Sequence, residues 1–356
     1  MVGNPSRLAH RPTDTDPRPM MPDSAATPPD RPPTDRQRVL LLGATGTIGR
    51  ATAAALLARG HALTCFLRPR ADGADPGLPA GAFIRHGDVT DRESLLRDGF
   101  RGEAFDAVVS CLASRTGAPA DAWAIDHGAH MAALSAAQAA GVGRFVLLSA
   151  ICVQKPLLAF QRAKLAFEQA LVASGLDHVI VRPTAFFKSL SGQVERVRAG
   201  RPYLLFGDGR LTACKPISDA DLGAYLADCL TDPARSGRIL PIGGPGPAIT
   251  PLDIGEWLFQ MTGQVPRYRR VPVGLMSAII GGLSAGGLVL PGLREKAEFA
   301  RIGRYYATES MLVLDPASGR YDADATPETG SDTLRDFHAA MLRGEASVDR
   351  GDHAVF

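Results

Sequence analysis

The 356 residues are 45% hydrophobic, 21% charged and 6% aromatic, a globular composition with ample length for a large core, which excludes collagen, coiled-coil and wholly disordered classes. Lys and Arg number 39 against 37 Asp and Glu, a formal charge of +2, so no global field recruits nucleic acid and no such partner is expected. The cysteines Cys65, Cys111, Cys152, Cys214 and Cys229 form no CxxC pair and no ligand spacing, which argues for a reducing compartment and predicts no metal site.

Residues 1–36 are rich in Pro, Asp and Arg and poor in aliphatics, too apolar-poor to offset the entropy of ordering, and they read as a disordered tail. They show neither an apolar signal core nor the acid-poor composition of a transit peptide, so a cytoplasmic protein is expected. From residue 38 onward, short aliphatic runs alternate with Ala-rich amphipathic stretches. Strands are expected at 39–42, 62–67, 83–86, 107–111, 145–149 and 178–182, and helices at 47–59, 92–97, 122–140 and 160–173, with Gly60, Gly141 and Gly175 stopping three of them. This alternation specifies an α/β fold: a Rossmann-type, doubly wound parallel sheet with a smaller C-terminal substrate lobe. The NADP-binding domain is expected over 37–184. Beyond it, Gly/Pro-punctuated segments with helical patterns near 219–230 and 251–261 read as a substrate lobe over 185–342, interleaved with the main domain, and 343–356 as a tail. The uncharged run 271–293 is long enough on paper to span a bilayer, but its glycines and the flanking Pro272 and Pro291 favour a buried or membrane-touching element.

The first strand runs straight into Gly43-Ala44-Thr45-Gly46-Thr47-Ile48-Gly49, a GxxGxxG turn opening a helix. In that context Gly43 permits the tight turn, Gly46 lets backbone approach a pyrophosphate, and Gly49 allows close helix–strand packing. At the end of the second strand, where an NAD-binding protein places a carboxylate on the ribose, the chain reads Arg68-Pro69-Arg70. Arginine attracts a 2′-phosphate, so NADPH is the expected cofactor. Asp88 and Val89 are expected over the adenine, with helix capping as the alternative for Asp88. Cys111, Leu112 and Ala113 are expected along the dinucleotide at the fourth strand's end. Ser149 ends the fifth strand where ligands bind in open α/β sheets, and it reads equally as a turn cap.

The glycine motif, Gly87-Asp88-Val89-Thr90-Asp91, the run from Gly141 to Ser149 and Val181-Arg182-Pro183-Thr184 together resemble the atypical short-chain dehydrogenase/reductase superfamily, NmrA-like branch. More narrowly, Leu148 to Glu168 and Arg304 to Met311 resemble the 8-vinyl-reductase family, with similarity running from about Arg38 to about Met341. The resemblance implies NADPH-dependent reduction of the C8 vinyl group of a divinyl chlorophyllide-type tetrapyrrole to ethyl, in chlorophyll or bacteriochlorophyll biosynthesis; the protein is expected to be either soluble or peripheral at the photosynthetic membrane. Two other readings stay open. One is an NADP(H)-binding sensor or assembly protein without catalysis; the other is a reductase of a different conjugated double bond.

Carbonyl-reducing relatives use Tyr-x-x-x-Lys, the phenol carrying the proton. This chain has Phe160-x-x-x-Lys164, so Lys164 is expected to hold the nicotinamide ribose and to be the leading proton source, with Lys155, Cys152 and Tyr306 behind it. Ile151, Cys152, Gln154, Phe160, Phe186 and Phe187 (Pro183 just before the last two, beside the cofactor) are the expected lining for a flat apolar substrate. Lys188, Arg196 and Arg198 are candidates for its carboxylate.

Overall fold

The computed structural model describes residues 36–69, 75–287 and 290–348. The expected tail before residue 36, Arg70 and the end of the chain after 348 lie outside them. β1 (Arg38–Leu42) is aliphatic at four successive positions and lies inside the sheet, buried on both faces. Val39 and Leu41 face one layer of core, Leu40 and Leu42 the other, the two-residue alternation of a strand.

Following β1 are α1 (Thr47–Ala58), β2 (Ala62–Leu67), β3 (Phe83–His86) and α2 (Arg92–Ser94), which continues as a π-helical stretch Leu95–Phe100. β4 (Ala107–Ser110) leads to α3 (Pro119–Ala122), a π-helical stretch Trp123–Ala129 and α4 (His130–Ala139), together the long helix expected at 122–140. β5 (Arg144–Leu148), a 3-10 turn Ile151–Gln154, α5 (Ala159–Ala173) and β6 (Asp177–Pro183) complete the part that the aliphatic alternation made visible.

After β6 come α6 (Phe187–Leu190), α7 (Val194–Arg198), β7 (Tyr203–Phe206), α8 (Asp219–Asp228) and β8 (Arg238–Ile242). β8 adds an unexpected seventh strand. The order is β3-β2-β1-β4-β5-β6-β8, all parallel. α8 lies against α1 at Gly223, where a Cβ would stand 2.6 Å from the backbone of Ala51; only a glycine allows the helices this close. The chain therefore returns to the main sheet after residue 184, and that return involves 219–242.

α9 (Pro251–Thr262) and β9 (Tyr268–Val271), the latter paired with β7, build a second cluster with Phe187, Leu205, Leu258 and Phe259. The run expected at 271–293 forms α10 (Val273–Gly286) and the start of α11 (Pro291–Thr308). Among the described residues no helix is long and apolar enough to cross a membrane. A two-strand ladder of β10 (Val313–Leu314) and β11 (Tyr321–Asp322), then α12 (Leu334–Arg343), close the described chain.

Candidate active site

The strand order reverses between β1 and β4, and the carboxyl ends of those strands flank the crevice where open α/β sheets bind ligands. The glycine turn lies there. Gly43 has φ of +76°, and a Cβ on it would stand 2.6 Å from the carbonyl of Cys111. A Cβ on Gly49 would stand 2.1 Å from the Gly43 oxygen. Gly46 is different: it caps α1 in an extended conformation, and its nearest neighbour to a Cβ would be 3.5 Å away. Packing demands glycine at 43 and 49, whereas at 46 glycine keeps a cradle open. α1 has no side-chain cap and no acidic residue in its first turn, so the N–H groups of Thr47, Ile48 and Gly49, after Thr45 in the turn, meet no competing carboxylate of their own helix. The cradle fits a dinucleotide pyrophosphate.

Arg68 is exposed at the end of β2, and its charge reaches Asp88, whose carboxyl is lowered chiefly by hydrogen bonds from Thr90. Asp88 Oδ1 accepts from Thr90 N at 2.8 Å and from its hydroxyl at 2.7 Å, while Asp91 caps α2. Asp88 therefore shapes the turn after β3 and leaves the capping to its neighbour; Val89 is buried beneath it. Cys111 offers backbone to the cradle, since its thiol points to Thr52 at 3.7 Å and burial pushes its pKa up to about 12. Leu112 and Ala113 follow it at the crevice edge, half-buried and exposed.

At the other end of the crevice, Lys164 emerges from α5 one turn after Phe160, its side chain 11% exposed. Its Nζ lies 2.9 Å from Oδ1 of Asp126 in the π-helical stretch. The buried Asp126 also accepts from Ser114 N at 3.2 Å and Ser114 Oγ at 2.6 Å. Nearby, His130 Nε2 lies 2.9 Å from Ser110 Oγ and Nδ1 3.0 Å from the Ile125 carbonyl. Burial, with the Lys164 charge second, lowers the His130 pKa to about 4. Nothing in the periodicity singled out Asp126; an acidic residue inside an otherwise Ala-rich helix was the available signal.

The 151–158 segment packs under α11. Tyr305 donates to the carbonyls of Cys152 at 3.0 Å and Lys155 at 3.2 Å. Burial pushes the Cys152 thiol up to about 11, and Tyr306, its ring exposed but its hydroxyl desolvated against that thiol, is raised above the ordinary phenol value. Ile302 and the half-buried Phe160 ring complete an apolar wall with Ile151.

Several expected contacts are committed elsewhere. The Gln154 amide donates to Leu312 O at 2.5 Å and accepts from Leu314 N at 2.9 Å: it clamps β10 and is no free polar anchor. Lys155 pairs with Glu309 at 2.7 Å. The Ser149 hydroxyl donates to the buried Glu168, which Arg182 Nε also meets at 3.2 Å on both oxygens, so Ser149 joins a polar knot under the sheet end. Arg196 donates to the Pro202 carbonyl at 2.6 Å and Arg198 pairs with Glu195 at 2.6 Å, which removes both from the anion-binding candidates. Lys188 stays in place. It lines a cavity of about 520 Å³ with Thr47, Phe187, Ser218, Asp219 and Phe337, where a buried Asp219 carboxylate oxygen lacks a hydrogen-bond partner and burial raises that carboxyl. An orphaned acceptor beside the glycine turn is a further sign of a missing polar ligand. Pro183 is buried at the end of β6, with Phe186 half-buried after it and Phe187 packed 5.5 Å from the Phe337 ring.

Residues 43–233 match the NAD(P)H-binding family model. The chain is 50% identical over 331 residues to divinyl chlorophyllide a 8-vinyl-reductase, chloroplastic, of Oryza sativa subsp. indica, covering 89% of this chain and 82% of that protein. It is 47% identical over 351 residues to the protein of that name from Zea mays, covering 95% and 88%. Among solved structures, the binary complex of leucoanthocyanidin reductase and NADPH from Vitis vinifera superposes with a TM-score of 0.63 at 17% identity, covering 86% of this chain and 99% of that one.

Proposed function

We propose, from the premise that this chain belongs to the NAD(P)H-binding family and within it to the divinyl chlorophyllide a 8-vinyl-reductases, that it reduces the C8 vinyl group of a divinyl chlorophyllide-type tetrapyrrole to ethyl. The observation at the site that carries this reading is the replacement of the proton-carrying phenol by Phe160 next to a lysine fixed by a buried carboxylate. A carbonyl reductase needs the phenol; a vinyl conjugated to a macrocycle does not, because charge left by hydride addition at its outer carbon delocalises into the ring.

When bound, NADPH supplies the hydride. The chain's own residues have three tasks: to hold the cofactor, to exclude water and to place one proton on the second vinyl carbon. The glycine cradle and the α1 N–H groups bind the pyrophosphate, and Arg68 meets the 2′-phosphate, which supports NADPH over NADH. Phe160, Ile151 and Ile302 supply an apolar wall against the macrocycle. Lys164 is the proton source, directly or through a water, and Asp126 is its positioning residue: Ser114 fixes the carboxylate, and the carboxylate fixes Nζ. Cys152, buried with its thiol pushed up, and Tyr306, hydrogen-bonded to that thiol, rank behind Lys164. Lys188 is the remaining candidate for the substrate carboxylate. Peripheral membrane contact belongs to this reading as well.

The test is incubation of the purified chain in dim light with NADPH and divinyl chlorophyllide a, with pigments separated and weighed by mass detection. An NADPH-dependent gain of two hydrogens is expected. Tight NADPH binding without reduction overturns the catalytic reading in favour of a binding-only sensor or assembly role.

A further inference from the structure

α10, Val273-Gly-Leu-Met-Ser-Ala-Ile-Ile-Gly-Gly-Leu-Ser-Ala-Gly286, carries no charge, and none of its 14 residues is buried. Leu275 is 52% exposed and Ile279 49%. An apolar helix packed into a core would bury one face; this one packs along α11 and buries none of its residues. The surroundings are the opposite of apolar. Between residues 267 and 304 there are seven bases against two acids, in a chain whose total excess is +2. Arg267, just before β9, and Arg269 and Arg270 on it stand exposed ahead of α10. On the far side Arg294 donates to the Gly287 carbonyl at 2.8 Å and Arg301 to the Ser284 hydroxyl at 2.7 Å.

We propose that α10 is an interfacial insertion element that docks the protein on an anionic lipid surface. At 1.5 Å per residue the helix is about 21 Å long, short of the roughly 30 Å hydrocarbon core, so it lies in the interface with its apolar residues below the headgroups and the arginines among them. A second copy of the chain is the poorer occupant, because a twofold contact through α10 sets one basic collar against the other. The location gives the docking a use. α11, the helix that carries α10, also carries Tyr305 and Ile302 over the 151–158 segment, so an apolar macrocycle dissolved in the lipid meets the protein beside the wall that is to receive it. This deepens the functional reading by naming the surface that delivers the substrate.

The experiment is co-sedimentation of the full chain with phosphatidylcholine vesicles with and without phosphatidylglycerol, read as bound protein and without turnover, so docking and vinyl reduction fail separately. Binding to the anionic vesicles, weakened by salt, is expected. Leu275→Glu with Ile279→Glu abolishes it while leaving the thermal midpoint unchanged, since both side chains are exposed. Arg269→Glu with Arg270→Glu lowers the partition far more than about tenfold, since each reversal removes one basic charge from the surface and adds an acidic one. Absence of vesicle binding by the unaltered chain, or binding indifferent to the Glu pair on α10, overturns the proposal. A dimer in solution that the same pair dissociates overturns it too, in favour of the second copy.

Discussion

The two ends of the crevice are made of different material. At the glycine turn the contacts are backbone to backbone: Gly43 against Cys111, Gly49 against Gly43, the α1 N–H groups toward the cradle. At the reacting end they are side chain to side chain across distant parts of the chain, Lys164 on Asp126, Ser149 on Glu168, Tyr305 on the carbonyls of Cys152 and Lys155. A backbone site tolerates nothing where a Cβ does not fit and nearly anything elsewhere. A side-chain site fails in two ways at once, because each buried partner left behind is an unpaired charge.

The largest break should come from Lys164→Met. Losing acid–base help depresses turnover by at least about 100-fold, and the orphaned Asp126 costs about 3–5 kcal/mol of stability. Asp126→Asn separates the two effects. It keeps a Ser114 hydrogen bond and leaves the ammonium free to wander, so kcat falls without a buried carboxylate being left unpaired. Stopped-flow turnover beside thermal melts reads both; unchanged turnover in the Met variant removes Lys164 from the mechanism.

The difference between the ends also decides how much could be read from sequence. Strands β1 to β6 and the cofactor turn were legible because each signal is local: a run of aliphatics, a glycine spacing, a glycine after a helix. Asp126 was not, since it lies in Trp123–Ala129, where π-helical winding breaks the 3.6-residue register, each extra residue shifting the phase by about 100°. The clamp formed by Gln154 was illegible for a related reason: its amide partners, residues 312 and 314, lie over 150 positions away, and no spacing rule reaches that far. β8 escaped notice because Arg238-Ile-Leu-Pro-Ile242 is an edge strand, short and interrupted by proline. α10 was legible as apolar, with burial and membrane contact both left open, for composition cannot tell a buried helix from one that faces outward.

A pair of glycine variants sharpens the backbone half of the comparison. In Gly49→Ala the new methyl falls 2.1 Å from the Gly43 oxygen and 2.8 Å from the Ala44 Cα, atoms that cannot step aside without moving the turn, so stability falls by about 1–3 kcal/mol and cofactor binding is lost with it. Gly46→Ala meets nothing closer than 3.5 Å and keeps a φ of −70° that alanine adopts freely. Its thermal midpoint should match the parent's while NADPH affinity drops about tenfold, roughly 1.4 kcal/mol, as the methyl enters the space the pyrophosphate needs. Equal affinity in that variant shows the cradle wider than the turn geometry demands.

The smallest effect tests the proposed meeting of Arg68 with the 2′-phosphate, in which a single exposed side chain would act. Arg68 is exposed and has Asp88 within electrostatic reach, so its charge contributes to ligand preference far more than to folding, and Arg68→Gln should melt with the parent. A hydrogen bond from a charged donor is worth about 1.5–3 kcal/mol, less at an exposed position, so the ratio of kcat/KM for NADPH to that for NADH should fall about tenfold, through KM for NADPH with kcat intact. The nicotinamide end does not sense the 2′-phosphate, which is why kcat is the control. A fall in kcat would mean that the two ends of the crevice are coupled, and an unchanged ratio would give the 2′-phosphate to another cation.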